Sequence, residues 1–218
     1  MFLVIGVAAL AVGVDRLADD DFAALVAESP AAFRVMCGAL VLIAVLGMAI
    51  TPAERALIEP SNAGFARFGA ALAYLGHGGT IAFFSWAMFS SPRDANPGAI
   101  LNTLAPLEWG MMFELVFVGA WVWIMAGVMR GEPTWPTGFV LLSIAKATSF
   151  WMAFLAFLTG ATWFLLLGAG TVTFVTGPAW HLWIAQIFKR RAGDADAGGA
   201  RPLRGAAEPP EAGWDGTP

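Results

Sequence analysis

Charge is the scarcest property of this chain. Between Pro133 and Phe188, a run of 56 residues holds one formally charged side chain, Lys146. Only 13% of the 218 residues are Asp, Glu, Lys or Arg, well below the roughly 25% usual in soluble domains. A soluble domain cannot hide such a stretch, and basic residues this few and scattered form no nucleic-acid surface. Cysteine is nearly absent as well. With Cys37 alone there is no intramolecular disulfide and no paired-cysteine metal or redox motif. Cys37 lies in an apolar stretch with no base nearby, which reads as a packed, inert thiol. The two histidines, His77 and His181, form no cluster in sequence, and there is no HExxH, GxSxG, phosphate-loop or helix-opening GxGxxG pattern. No lysine lies in a seventh helix, which argues against a retinal protein. No internal repeat is visible, so the inverted symmetry of many transporters is not evident.

What is present is apolar length. The chain is 58% hydrophobic with a mean hydropathy of +0.70. Six apolar segments stand out, at 2–14, 31–50, 65–89, 106–129, 137–158 and 162–188. A membrane-crossing helix needs about 20 apolar residues, so the expected fold is all-α, a polytopic transmembrane bundle of about six helices over 1–191. The first segment lacks the basic start of a signal peptide and runs straight into Asp15-Arg16. It reads as a short helix of about 21 Å by helical rise. An acidic loop with Asp15, Asp19, Asp20, Asp21 and Glu28 follows. Ser29-Pro30 opens the second helix, with Ser as cap and Pro at the first position. Thr51-Pro52 ends it. Ser90 to Gly98 is a turn-rich loop, and Ala99–Ala105 reads as an interfacial piece before Pro106. Only Thr159, Gly160 and Ala161 join the last two spans, which predicts an antiparallel hairpin. The tail at 192–218 has little to bury and is expected to be disordered.

Lys189, Arg190 and Arg191 close the sixth span and place the C-terminus in the cytoplasm. With six spans the N-terminus is inside too, Arg55, Arg67 and Arg130 fall on inner loops, and Arg16 and Arg93 on outer ones. Trp180 and Trp183 sit just above the basic block, as interfacial anchors would. Trp109 and Trp163 suit the opposite interface and Trp135 the inner one.

Few residues are left to carry chemistry. By helical rise Glu114 lies about 12 Å below the outer boundary and Lys146 about 13 Å above the inner one, levels that differ by about 5 Å. A Glu114–Lys146 pair is therefore allowed. Ser143, Lys146 and Ser149 make a polar stripe at i, i+3, i+6. Tyr74, His77 and Thr80 share the same spacing on the third span, with His77 near the depth of Glu114. Two readings stand side by side: neutralised charges in a helix seam, or a proton or substrate pathway. Glu108 lies nearer the boundary and reads as solvated. His181 falls about 28 Å deep, some 16 Å from the level of His77, which argues against one haem between them; no cofactor or metal is expected. Small residues supply packing seams, Gly69, Ala73, Gly76 and Thr80 on span three and Gly170, Thr173, Gly177 and His181 on span six. Gly177-Pro178 should kink the last helix.

Two short stretches, Glu28-Ser-Pro-Ala-Ala-Phe-Arg34 and Gly177-Pro-Ala-Trp-His-Leu-Trp183, resemble a bacterial family of small multi-pass membrane proteins of unknown function. The resemblance implies a six-helix integral protein and transfers no activity. Three functional expectations follow. The first is a non-catalytic subunit, accessory or scaffold of the bacterial inner membrane, in contact with lipid and with a homo-oligomeric or membrane-complex partner. The second is a small proton-coupled permease using Glu114, Lys146 and His77. The third is an intramembrane cofactor carrier or enzyme, with His77 as ligand.

Overall fold

A computed structural model describes residues 2–12, 26, 28–90 and 108–197. The acidic loop, the Ser91–Gly98 turn, the interfacial piece at 99–105 and the tail from 198 onward lie outside the described residues. Among the described residues the fold is an all-α bundle of six helices. Helix α1 is Phe2–Val12, α2 is Pro30–Ile58, and α3 is Ala63–Ser90. Helix α4 is Glu108–Arg130, with a π-helical turn at Glu114–Val118. Helix α5 is Thr137–Thr159. Helix α6 begins as Thr162–Thr171, passes through a π-helical turn at Val172–Thr176, and continues as Gly177–Ala197.

Four of the six cross the membrane: α2, α4, α5 and α6 are long and apolar enough. The other two expected spans fall short for different reasons. The eleven residues of α1 rise only about 16 Å, against about 30 Å of hydrocarbon. With 28 residues, α3 is long enough, but Arg67, Tyr74, His77, Thr80 and its glycines dilute its apolarity.

Local sequence explains most boundaries. Ser29 holds the N-cap position of α2 with Pro30 behind it. Its hydroxyl makes no cap bond; its carbonyl accepts the Phe33 N–H at 3.1 Å. Contrary to the sequence expectation, Thr51-Pro52 does not end α2, which runs through Pro52 to Ile58. Proline is tolerated inside membrane helices because neighbouring groups re-satisfy the backbone. The carbonyl left without its N–H is that of Met48; one residue earlier, Thr51 adds its hydroxyl to the Gly47 carbonyl at 2.8 Å. The α2–α3 turn is stapled by Glu59, which accepts from Arg55 at 2.8 Å and Arg67 at 3.1 Å. These bonds, Arg55 first, hold the Glu59 carboxyl below the usual carboxylate range. Asn62 then accepts the Phe65 N–H through its side chain at 3.0 Å, an N-cap bond for α3. Gly160, with φ of +71°, closes α5 in the left-handed conformation that favours glycine.

Residues Met1–His181 form one compact unit and Leu182–Pro218 another. In the second, α6 stays helical to Ala197, beyond the expected tail boundary at 192. Ala192, Ala195 and Ala197 favour continuation, since alanine is the best helix former. Lys189, Arg190 and Arg191 are exposed there and Trp183 is half-buried.

Within the first unit each helix packs on its neighbours in chain order, and α1 returns to the π-helical turn of α6. The six helices thus close into a ring. Its α1–α2–α3 side buries Val12, Phe33, Met36 and Phe84. The α4–α5 side buries Leu115, Val122, Phe150 and Ala153. Close approaches use small residues, because lipid supplies no hydrophobic drive between helices. Gly69 receives the Trp121 ring, Gly76 receives Val118, and Gly168 lies against the α5 backbone at Ala153. The expected hairpin of the last two spans is present through that contact. Gly170 does not serve the seam assigned to it: a side chain added there would meet nothing within 4 Å. The approach is made two residues earlier, on the face that α6 turns toward α5.

Candidate functional site

The ring encloses a cavity of about 370 Å³ to which all six helices contribute. Its ionisable groups come from five of them: Glu54 on α2, His77 on α3, Glu108 and Glu114 on α4, Lys146 on α5 and His181 on α6, and Thr80 on α3 adds a hydroxyl.

On the α3–α4 side, Glu114 is partly buried and its Oε2 is shared by two partners. Thr80 Oγ1 lies 2.8 Å away and His77 Nδ1 3.3 Å away. The Thr80 hydroxyl also faces the Gly76 and Gly110 carbonyls, at 3.0 and 3.4 Å. It has one proton to donate, and the carboxylate contact is the shortest. His77, 7% exposed, sits against α2 where Gly47 leaves room; a methyl group at Gly47 would collide with the imidazole. Helical spacing at Tyr74, His77 and Thr80 is correct for a shared face, but Tyr74 lies at the edge of that face and is exposed.

Glu54 is the polar residue that the sequence reading misses. Ending the helix at Pro52 assigns Glu54 to a loop. The structure carries the helix two turns further and buries Glu54 to 4% exposure, where it accepts the Trp121 indole N–H at 2.9 Å. The available signal was the single interruption at Pro52, followed by Ala53, Ala56, Leu57 and Ile58 in helical register.

Lys146 does not meet Glu114. Among the described residues no carboxylate oxygen comes within 4.0 Å of its Nζ. The ammonium, on a side chain 5% exposed, instead lies 3.8 Å above the centre of the Trp180 ring, a cation–π contact. Trp180 is therefore not an interfacial anchor. It is buried, 1% exposed, because it faces α5 rather than the helix flank. Its indole N–H donates to Ser143 Oγ at 2.9 Å, and that hydroxyl lies 2.9 Å from the Phe139 carbonyl. The ring stacks on Phe139, which stacks on Trp135. Trp135 is buried too, while Trp109 and Trp163 are exposed.

Ser149 is buried beside Lys146, with its hydroxyl donating to Ala145 O at 2.8 Å. His181 reaches the same cavity as His77, although residue counting separates their levels. Its Nδ1 donates to the Gly177 carbonyl at 2.7 Å. Gly177 is buried and Pro178 half-buried. The backbone irregularity expected at Gly177-Pro178 appears just before them, as the π-helical turn. Residues of both π-helical turns line the cavity: Glu114, Leu115 and Val118 from α4, and Val172 and Thr173 from α6. Such turns gather at functional sites.

This is a polytopic membrane protein with a buried polar core. Comparison with protein-family profiles, with curated proteins and with solved structures finds no match to the chain. The likeness at Glu28–Arg34 and Gly177–Trp183 ties it to no particular family. Among the described residues no group of three His, Cys, Asp or Glu side chains is placed to hold a metal ion. The arrangement offers three carboxylates, an ammonium and two imidazoles around one space, a set that can hold and pass protons and balance the charge of a small guest.

Proposed function

We propose that the protein is a small proton-coupled permease of the bacterial inner membrane, with its C-terminus in the cytoplasm. One observation carries this reading: ionisable side chains from five successive helices converge on one internal cavity. Intramembrane ionisable groups are costly and mark ion and substrate paths. Pockets between the helices of a bundle are where small ligands bind. His77 and Glu114 form the proton-holding pair, with Thr80 orienting the carboxylate. Glu54, Lys146 and Trp180 face the guest. The reading assigns no covalent chemistry and no enzyme activity to the chain.

The test is reconstitution into proteoliposomes loaded with a pH-sensitive dye. Small amines, carboxylates and sugars are added outside, one class at a time. At least one class should shift lumenal pH relative to protein-free vesicles, and Glu114→Gln should abolish the shift while the protein remains folded by circular dichroism. If no class moves protons, the permease reading fails.

A second reading, a non-catalytic subunit or a homo-oligomer, draws on α3. That helix falls short of the apolarity of the four spans, yet exposes Phe65, Phe68 and Trp86, a surface suited to another protein. It predicts a stoichiometric partner, or a second copy, in mild native extracts weighed by native mass spectrometry.

A further inference from the structure

We infer that the cavity binds a small organic monocation, an alkyl- or arylammonium, on the Trp180 face that Lys146 now covers. Transport of that cation rests on the permease reading; the binding site does not.

The aromatic platform comes first. Trp180 is fixed through its N–H to Ser143 and by stacking on Phe139, and the His181 ring meets it edge-on, 5.1 Å between centroids. A buried indole face held this firmly is a ready-made cation site, the chemistry by which aromatic cages hold quaternary ammonium groups. Lys146 demonstrates it with its own ammonium. Because no carboxylate among the described residues pairs with Nζ within 4.0 Å, moving the lysine off the ring breaks no ion pair among them. The lysine is a tethered occupant that a guest of the same charge can displace.

Charge selects the sign of the guest. With the imidazoles counted as neutral, Glu54, Glu108 and Glu114 against Lys146 leave two formal negative charges in excess. A cation reduces that excess and an anion adds to it. The ionisable groups lining the space around His77 are Glu54 on α2, Glu108 and Glu114 on α4, Lys146 on α5 and His181 on α6. Tyr74, on its own helix, is exposed, and α1 carries no titratable side chain.

Size and wall chemistry narrow the guest. About 370 Å³ is at the small end of ligand cavities. Phe84, Phe150 and Leu165 line much of the rest, which suits the apolar body of an organic ion.

The full chain in lipid nanodiscs is titrated calorimetrically at neutral pH with benzyltrimethylammonium, phenylacetate and phenylacetamide. These are a cation, an anion and a neutral molecule of similar size. The cation should bind at least about tenfold more tightly than either of the others, the factor that a desolvated cation–π contact carries. The comparison needs no variant that folds. Lys146→Met, which frees the platform, should bind the cation more tightly, and Trp180→Leu more weakly. Equal or tighter binding of phenylacetate or phenylacetamide, or no binding of any probe, overturns the inference. A lumenal pH response to carboxylates or sugars, with no binding of the cation, also overturns it and leaves the permease reading intact. Cation binding with no lumenal response supports the site and removes the permease reading.

Discussion

Trp121 on α4 donates its indole N–H to the Glu54 carboxylate on α2, 2.9 Å away, and both side chains are buried. These helices are separated in the ring by α3 and approach each other closely only locally, so the bond ties them together at that approach. Removing one partner strands the other without water to replace it. Trp121→Phe should destabilise the protein by about 1–3 kcal/mol, the usual cost of an unsatisfied buried group. Glu54→Leu with Trp121→Phe should cost less than the sum of the single changes. Thermal unfolding in one detergent, read for all four proteins, checks both statements.

Gly47 and Gly127 make a matched pair. A methyl group at Gly47 runs into the His77 imidazole, whereas at Gly127 it meets nothing within 4 Å. Gly47→Ala should cost about 1–3 kcal/mol through overpacking and push His77 away from Glu114. Gly127→Ala should be neutral or stabilising by up to about 1 kcal/mol, from helix propensity alone. Melting temperatures of the two variants against wild type decide it, and a destabilised Gly127→Ala would contradict the packing described for α4.

Glu59 gives the α2–α3 turn a pH dependence of known sign. Arg55 and Arg67 hold its carboxyl below the usual range in the folded protein. The staple therefore contributes in full above the unfolded carboxylate value of about 4.3, and is lost as pH falls through the lower folded value. Amide exchange at Ser61 and Asn62, which donate to the Ile58 carbonyl, should accelerate at acid pH beyond the intrinsic trend. Glu59→Gln should remove that acceleration, and salt should weaken the staple because the arginines are exposed.

Gly160 sits at φ of +71° between α5 and α6. Space is not the constraint there, since a side chain would meet nothing within 4 Å. Gly160→Ala should cost about 1–2 kcal/mol from backbone conformation alone, and Gly160→Asn less. Thermal unfolding of the two variants tests the ordering.

The spans α2, α4, α5 and α6 were legible because membrane solvent imposes length and apolarity together; α1 and α3 were legible as apolar helices but fall short of that standard. The second boundary was misread because Pro52 breaks helices in water, while here α2 continues through it. That one boundary hid Glu54 and half of the Glu54–Trp121 bond. Trp180 was misassigned for a related reason. Its place just before Lys189, Arg190 and Arg191 suggested an interface, but burial follows the helix face, and its face looks at Ser143 and Lys146. Lys146, His77 and Glu114 were legible as rare ionisable residues in apolar runs. Their partners were not, since depth along a helix says nothing of its rotation. Neither π-helical turn leaves a trace in composition: Glu-Leu-Val-Phe-Val and Val-Thr-Phe-Val-Thr read as ordinary membrane helix.

Those two turns have a geometric meaning. A π-helical turn stores one residue more than the regular coil requires. Side chains beyond such a turn are therefore offset by about 100° from where an unbroken α-helix would set them. Glu114 begins one turn, and Val172 and Thr173 lie in the other. At two of its walls, the chamber thus marks the point where a helix changes which of its faces looks inward.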